Sequence, residues 1–409
     1  MFFKYAAFCF GASKWCFPSR SPHRAAPLAL SLLLACGASP DPGPRPYDEA
    51  PSERFQVVTA KPPAAASPER PCAWYGDAHG GVLYFGESAF WSGARTHDTP
   101  LGELEHLSAR RIGRFDLAAG RMLPALALAQ ERPSGTWDVL APGDGHVYFT
   151  TFFDFAGSVN LATGNVVRFV QAGKGLNEWA LGPDDTLLAS RYAGAEGTSG
   201  SLAWLERDGT LRADFPLEAP TGFVVAPKTV AMDPGSRVVW ITTDLLKAKG
   251  APKETALPTG AGAHPTLIVD LAGRERARIE DVEIQFARFG PDGTGYFALV
   301  EGSALKLVLL PPGAGPAAFH RARRIGLDEQ FEPAFDFAQD IRVEEGGRVL
   351  VTTWSGGIYV VEPHAPRPMR RIRFPRLARG GLYYAAASVE ERLCATYCEA
   401  LTVVCTQLE

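Results

Sequence analysis

The sequence has 409 residues, of which 46% are hydrophobic and 21% charged, a composition typical of a folded globular chain and not of a disordered one. Residues 1–35 contain four basic residues and no acidic one, so their removal leaves 37 basic and 45 acidic residues and a net charge of about −8. Binding to a polyanion needs clustered positive charge, so this balance excludes nucleic acid as an expected partner.

The N-terminal segment has the pattern of a bacterial export signal. An apolar stretch at residues 25–35 follows basic residues and is far shorter than the roughly 20 residues of a membrane-spanning helix. It ends in Leu-Leu-Ala-Cys at Cys36, which resembles the lipobox of bacterial lipoproteins. The resemblance implies that residues 1–35 are a signal peptide and that lipid on Cys36 is the only membrane contact. The expected location is the cell envelope, with the outer membrane favoured; an ordinary secretory signal is the alternative.

A proline-rich polar stretch follows Cys36, and such a stretch is expected to stay extended. We assign residues 36–53 to this tether and residues 54–409 to one folded domain. Within the domain, the short apolar run Phe55–Ala60 is followed by a second proline-rich stretch. It is therefore predicted to be an isolated strand whose pairing partner lies elsewhere in the chain.

From Ala73 onward a hairpin pattern recurs: an apolar run, a turn of Pro, Asp and Gly residues, and a second run that ends in small polar residues. The clear copies have their turns at residues 142–145, 183–185, 233–236, 291–293 and 344–347. Several copies are followed by a second hairpin, and four strands per unit is the pattern of a propeller blade. The predicted fold is therefore an all-β propeller.

Weaker copies at residues 82–85 and 382–397 bring the number of blades to about seven, or to six if one terminal copy is false. The last unit has chain for only three strands. We therefore predict that the N-terminal run Phe55–Ala60 supplies its fourth strand and closes the ring, which removes exposed sheet edges. A β-sandwich is disfavoured by the repeat period of roughly 40–60 residues.

Four cysteines follow Cys36, and an even number in an exported protein favours disulfides over catalysis. The disulfide candidates are Cys72, Cys394, Cys398 and Cys405. If residues 392–398 and 401–407 form a hairpin, Cys394 lies directly opposite Cys405. Cys398 would share that face, and Cys72 would remain. All three connectivities stay open at this point.

One face of the predicted ring collects the polar residues. In a propeller the inner strands begin, and the second strands end, on one face around the central channel, which is the default ligand site. Alignment of the hairpins on their turns places a predicted ligand-binding set there: Asp138, Asn177, Glu178, Arg191, Lys228 and Asp340. The two largest insertions, residues 88–109 and 244–264, are on the same face. These mixed charges suit a small polar ligand better than a bare cation.

The repeats over residues 73–409 resemble the propeller superfamily of NHL-repeat, strictosidine-synthase-like and gluconolactonase proteins. Residues 176–184 are similar to the gluconolactonase segment in which an asparagine, here Asn177, binds a divalent cation. The resemblance implies a glutamate and an aspartate from other blades as further ligands, and oxygen ligands of this kind suit calcium or magnesium. Near those positions this chain has Ser134 and Lys228, and a lysine argues against a cation.

We therefore expect no cofactor and no metal, with a divalent cation as the alternative. The other interpretation of Asn177, Asp138 and Asp340 is that they bond backbone groups at the starts of strands.

Three functions remain. The first is a monomeric, lipid-anchored propeller that binds a small polar ligand or an envelope protein. The second is a metal-dependent hydrolase like the gluconolactonases, which needs a complete cage of oxygen ligands. The third is a lyase of the streptogramin-inactivating kind, which needs a histidine and an acid near the channel; the only histidine close to an inner hairpin, His146, is expected at a turn on the opposite face. Binding is favoured, and enzymatic activity is not the expectation.

Overall fold

The computed structural model describes residues 55–59, 71–89, 111–128, 136–151, 155–173, 175–192, 198–252, 254–256, 258–302, 304–328, 338–353, 356–365, 369–375, 382–398 and 401–408. The predicted signal peptide, Cys36 and the tether lie outside these ranges, as does most of the first insertion. Within these ranges no helix is long and apolar enough to cross a membrane.

The first four blades each contain four antiparallel strands that are consecutive in the chain. Blade one contains β2 (Pro71–His79), β3 (Val82–Ala89), β4 (Arg111–Asp116) and β5 (Arg121–Ala127). Blade two contains β6 (Thr136–Leu140), β7 (His146–Thr151), β8 (Ala156–Asn160) and β9 (Val166–Arg168). Blade three contains β10 (Leu176–Leu181), β11 (Leu187–Arg191), β12 (Ser201–Leu205) and β13 (Leu211–Pro216). Blade four contains β14 (Phe223–Asp233), β15 (Val238–Lys247), β16 (Thr266–Asp270) and β17 (Glu275–Ile279).

The last three blades complete the ring, and the seventh takes a strand from the N-terminal end. Blade five contains β18 (Glu283–Phe289), β19 (Gly295–Glu301), β20 (Ala304–Leu310) and β21 (Arg323–Asp328). Blade six contains β22 (Ala338–Val343), β23 (Val349–Thr353), β24 (Gly357–Val361) and β25 (Met369–Arg373). Blade seven contains β26 (Leu382–Val389), β27 (Arg392–Cys398), β28 (Thr402–Gln407) and β1 (Phe55–Thr59). The predicted seven-bladed propeller of four-stranded blades is therefore confirmed.

The ring closes as the sequence predicts. Strand β1 pairs with β28 in antiparallel register from Phe55 opposite Thr406 to Thr59 opposite Thr402. The ring of Phe55 packs against Phe374 of blade six at a centroid distance of 5.3 Å. The side-chain amide of Gln56 donates a 3.0 Å hydrogen bond to a carbonyl of blade one. The N-terminal strand thus joins the last blade to its neighbours on both sides.

The core consists of apolar side chains packed between neighbouring blades. Trp240 of blade four, fully buried, lies 4.6 Å from Phe297 and 5.7 Å from Phe319 of blade five between ring centroids. Alternation along the strands puts such residues on both faces of each blade, and every blade buries both faces except at its outer edge. The Pro/Asp/Gly turns between inner and second strands are stabilised locally, as when Asp292 accepts the Thr294 N–H at 2.9 Å.

Candidate functional site

Every inner strand has a register shift at the same height in the ring. The shifts fall between Ala73 and Gly76, Thr136 and Val139, Leu176 and Trp179, Pro227 and Val230, Ile284 and Phe286, Ala338 and Asp340, and Tyr383 and Ala386. Such bulges redirect side chains and are frequent beside binding sites. The bulged positions are the strand entrances that contain Asp138, Asn177, Glu178 and Lys228, so the structure brings these predicted residues to one end of the channel.

Hydroxyl groups on the second strands satisfy the backbone of the bulges. In four blades the backbone N–H of a residue at or just after the bulge donates to a Ser or Thr hydroxyl: Asp138 to Thr150 at 3.2 Å, Glu178 to Ser190 at 3.1 Å, Thr229 to Thr242 at 3.2 Å and Ala385 to Thr396 at 3.0 Å. Two of these hydroxyls also donate to the next blade, from Thr150 to the Asn177 carbonyl and from Ser190 to the Lys228 carbonyl. The small polar residues that end the second strands therefore fix the geometry of the site.

A cavity of about 520 Å³, including its opening to solvent, lies at this end of the channel. Residues from six of the seven blades line it: Tyr75, Trp137, Asn177, Glu178, Lys228, Thr229, Glu283, Gln285, Phe286, Ala338 and Gln339. Small-molecule sites likewise combine apolar walls with a few polar groups.

Aromatic rings meet in the middle of the channel. Tyr75 of blade one lies 5.2 Å from Trp137 of blade two and 6.4 Å from Phe286 of blade five between ring centroids. Its hydroxyl donates a 3.2 Å hydrogen bond to the side-chain oxygen of Gln339 in blade six. These contacts join blades one, two, five and six, so aromatic rings form part of the cavity wall.

Glu178 is the most unusual residue of the lining. It is 5% exposed, and its Oε2 atom is buried without a hydrogen-bond partner in the described part of the chain. Burial raises the pKa of Glu178 well above its usual value, and Asp138 and Asp340 raise it further, while Arg288 and Lys228 act in the opposite direction. A buried carboxyl oxygen without a partner is costly in a folded protein, and a ligand that donates to it would remove that cost.

A network of ionisable side chains continues behind the lining. A guanidinium nitrogen of Arg288 on β18 lies 3.8 Å from a carboxyl oxygen of Asp340 on β22. The carboxyl groups of Glu178, Asp340, Asp138 and Asp77 all raise the pKa of this guanidinium, against the lowering effect of burial. Asp77 is in turn bonded to Arg342.

In its fully ionised form this network would be negative, because four carboxyl groups face two guanidinium groups. Burial raises the pKa of Asp138 to about 7, although hydrogen bonds from the backbone N–H groups of Trp179 and Val139 and the charge of Arg288 lower it. Burial likewise raises the pKa of Asp340 to about 6, against Arg288 and Arg342. Near neutral pH these carboxyl groups therefore keep part of their protons while the cavity is empty. A positive charge bound nearby would favour their ionised forms and so cause them to release protons.

Lys228 belongs to a second polar group at the edge of the cavity. Its Nζ lies 2.9 Å from Oδ1 of Asp244, and the same oxygen lies 2.5 Å from Nδ1 of His264. Burial of Asp244 works to raise its pKa, but Lys228 and His264 together lower that pKa to about 2. Asp244 and His264 are the two ends of the second insertion. The insertion starts as strand and not as loop, because β15 continues to Lys247 and pairs with β14 above the bulge.

The six predicted site residues thus have three different environments. Asn177, Glu178 and Lys228 line the cavity. Asp138 and Asp340 are buried in the ionisable network behind it. Arg191 is turned toward the outer strands, where it lies 3.0 Å from Asp214 of β13 and donates at 2.6 Å to the carbonyl of Ala172.

Sequence reasoning missed Arg288, Asp77, Arg342 and His264. The signal for the first three was available: each lies two residues along an inner strand from a residue of the bulge region, and strand alternation puts i and i+2 on one face. His264 is distant in sequence from any inner hairpin, and it reaches Asp244 only because the insertion folds back.

The residues do not fit the divalent-cation site that the gluconolactonase resemblance implies. The side-chain amide nitrogen of Asn177 donates at 3.2 Å to the Lys228 carbonyl, and the Lys228 ammonium group is within the lining. Among the described residues, no group of three or more His, Cys, Asp and Glu side chains could hold a metal ion.

No family model matches the chain, and no curated protein matches its sequence significantly. Two solved structures of virginiamycin B lyase from Staphylococcus aureus are similar in fold. A catalytically inactive variant with quinupristin has a TM-score of 0.56 and 10% sequence identity, covering 87% of this chain and 100% of the lyase. The selenomethionine-substituted lyase has a TM-score of 0.55 and 10% identity, covering 87% and 99%. At this identity the likeness shows the β-propeller fold alone.

Proposed function

We propose that the protein is an exported, lipid-anchored propeller that binds a small polar ligand in the cavity at the bulged end of its channel. The observation that carries this proposal is the Oε2 atom of Glu178, which is buried in the lining without a hydrogen-bond partner among the described residues. A ligand that donates to this oxygen removes the cost of its burial. The concave shape of the site and its lining of aromatic and polar side chains favour a small molecule over a protein surface.

The binding proposal is tested by thermal unfolding in the presence of a panel of sugars, amino acids, organic acids and amines at millimolar concentration. A ligand that binds the folded state stabilises it and so raises the melting temperature. At a ligand concentration of a hundred times the dissociation constant, the free energy of unfolding increases by about 2.7 kcal/mol. Asn177→Ala, which alters the lining, should abolish the shift. Asn165→Ala, at an exposed turn between β8 and β9, should retain it. A panel without any shift would count against the proposal.

The anchor is tested separately, because it depends on Cys36 alone. Cys36→Ala should move the protein from the membrane fraction to the soluble fraction, since the only anchor proposed is lipid on that thiol. Unchanged partitioning into detergent would contradict the lipoprotein assignment.

A lyase is the second candidate, and a specific observation favours it. Glu178 lines the cavity and has a raised pKa, and Lys228 of the lining is paired with Asp244, which also contacts His264, so acid and base groups occur in the lining and directly behind it. The similar solved structures are lyases, one of them with quinupristin. Incubation with quinupristin followed by chromatography tests this candidate. Loss of the intact compound with the wild-type protein, but not with Glu178→Gln, would support it.

A further inference from the structure

The charge and the wall of the cavity together indicate the class of its ligand. Tyr75, Trp137 and Phe286 present aromatic rings to the cavity, and Glu178 presents its carboxyl group beside them. Aromatic faces attract cations, and cages of aromatic rings bind quaternary ammonium groups. A nearby carboxylate adds the attraction of opposite charges.

The ionisable network behind the lining points to the same charge. It has two more carboxyl groups than guanidinium groups, and the only ammonium group of the described lining, that of Lys228, is already paired with Asp244. The uncompensated charge is negative when all of these groups are ionised, and protons offset it in the empty cavity, as the raised pKa values of Glu178, Asp138 and Asp340 indicate. A neutral ligand could donate a hydrogen bond to Glu178 but would leave this imbalance in place, whereas a cation reduces it.

We propose that the ligand of the cavity carries a protonated amine or quaternary ammonium group that lies against the aromatic wall and pairs with the carboxylate of Glu178; this inference rests on the proposed binding function. A bare metal ion does not fit, since no cluster of three or more His, Cys, Asp and Glu ligands is present in the described residues. An organic cation needs no such cluster, because aromatic rings attract it and a carboxylate can pair with it.

Binding should release a proton. The carboxyl of Glu178 faces Arg288 of β18, Asp138 of β6, Asp340 of β22, Lys228 of β14 and Tyr75 of β2, and burial raises its pKa, which favours the protonated form in the empty cavity. A cation favours the ionised form. The affinity should therefore increase with pH, by up to about tenfold per pH unit below the pKa of the free site.

The test is calorimetric titration with choline, tetramethylammonium and 3,3-dimethyl-1-butanol, the last a neutral compound of the same shape as choline. We expect the two cations to bind at least about tenfold more tightly than the alcohol, and Glu178→Gln to remove that preference. Glu345→Gln, at an exposed turn on the opposite face, is the matched control and should bind like the wild type. The melting temperature of each variant shows whether it is folded.

Two results would overturn the inference. Equal affinity for choline and the alcohol, unchanged in Glu178→Gln, would show that the cavity binds ligands but does not select a cation, so the binding proposal would stand. If neither cation binds the wild type, the proposal of an ammonium ligand is also rejected. The binding proposal is then decided separately, by the wider panel of sugars, acids and amino acids.

Discussion

The backbone N–H of Trp179 donates a 2.9 Å hydrogen bond to Oδ2 of Asp138, so a buried carboxyl group of blade two holds the bulge of blade three. We expect Asp138→Ala to lower the free energy of unfolding by about 1–3 kcal/mol, because this N–H is then buried without an acceptor. Asp138→Asn retains a side-chain oxygen that can accept this hydrogen bond, so it should lower the free energy of unfolding by less than Asp138→Ala does. Urea titrations of the two variants measure the difference, and equal losses would contradict a hydrogen-bonding role.

The same carboxyl group makes stability depend on pH. Burial raises the pKa of Asp138 to about 7 from a reference of 3.8. A carboxyl whose pKa is raised on folding stabilises the fold in its protonated form, so this contribution is complete below about pH 4 and is lost as the pH rises to about 7. We expect Asp138→Asn to flatten the decrease in unfolding free energy between about pH 5 and pH 7.

The control for this pH prediction is Asp292→Asn. The Thr294 N–H and hydroxyl lower the pKa of Asp292, whose turn lies on the opposite face. Asp292→Asn should lower the free energy of unfolding, but it should not change the slope of that free energy against pH between about pH 5 and pH 7. If Asp138→Asn and Asp292→Asn have the same slope as the wild type, the pH dependence arises elsewhere.

The sequence predicts more of the fold than of the site, for a physical reason. Blade number and ring closure follow from a repeated hairpin pattern and from one unpaired strand, Phe55–Ala60, and both signals are spread over many residues. The sequence places the polar residues Asn177 and Glu178 at a strand entrance, but it does not specify the register shift between Leu176 and Trp179 that aims them. The pairing of Asp244 with His264 depends on the path of a 20-residue connection, which no periodicity specifies.

The cysteines give a prediction about connectivity. Cys394 and Cys405 form a disulfide across β27 and β28, as the hairpin register predicts. Cys72 and Cys398 are then the two disulfide candidates that remain, and the backbone of Cys72 in β2 lies opposite that of Cys398 in β27. We expect peptide mapping without reduction to identify a Cys72–Cys398 bridge between blades one and seven. Cys72→Ser should cost about 2–4 kcal/mol and more than Cys394→Ser, because the closed loop is far longer. A free thiol at Cys72 would contradict the pairing.

Ring closure gives a prediction about truncation. Deletion of residues 37–53 should leave the melting temperature unchanged, because the proline-rich tether is predicted to have no partner. Deletion through Ala60 removes β1, its pairing with β28 and the contact of Phe55 with Phe374, and should lower the melting temperature clearly. Phe55→Ala separates packing from pairing and should cost about 1–3 kcal/mol. Equal melting temperatures for the two truncations would refute closure by β1.

Lys228 and Asn177 line the same cavity but differ in what their removal costs. The side-chain amide of Asn177 donates only to one carbonyl, at 3.2 Å, among the described residues, whereas the Lys228 ammonium group pairs at 2.9 Å with Asp244. The sequence suggests the double substitution Asn177→Ala with Lys228→Ala as a test of binding with little loss of stability. The ion pair makes Lys228→Ala unsuitable for that purpose.

We expect Lys228→Ala to lower the free energy of unfolding by about 1–3 kcal/mol, since it leaves a largely buried carboxylate with only His264 as a partner. Asn177→Ala should cost less than about 1 kcal/mol. Adding Asp244→Asn to Lys228→Ala removes the unpaired charge and should restore part of the loss, so a double-mutant cycle isolates the coupling of the pair. If Lys228→Ala alone is as stable as the wild type, the ammonium group is not held by Asp244 and is available to a ligand, and the charge balance that favours a cation in the cavity must be revised.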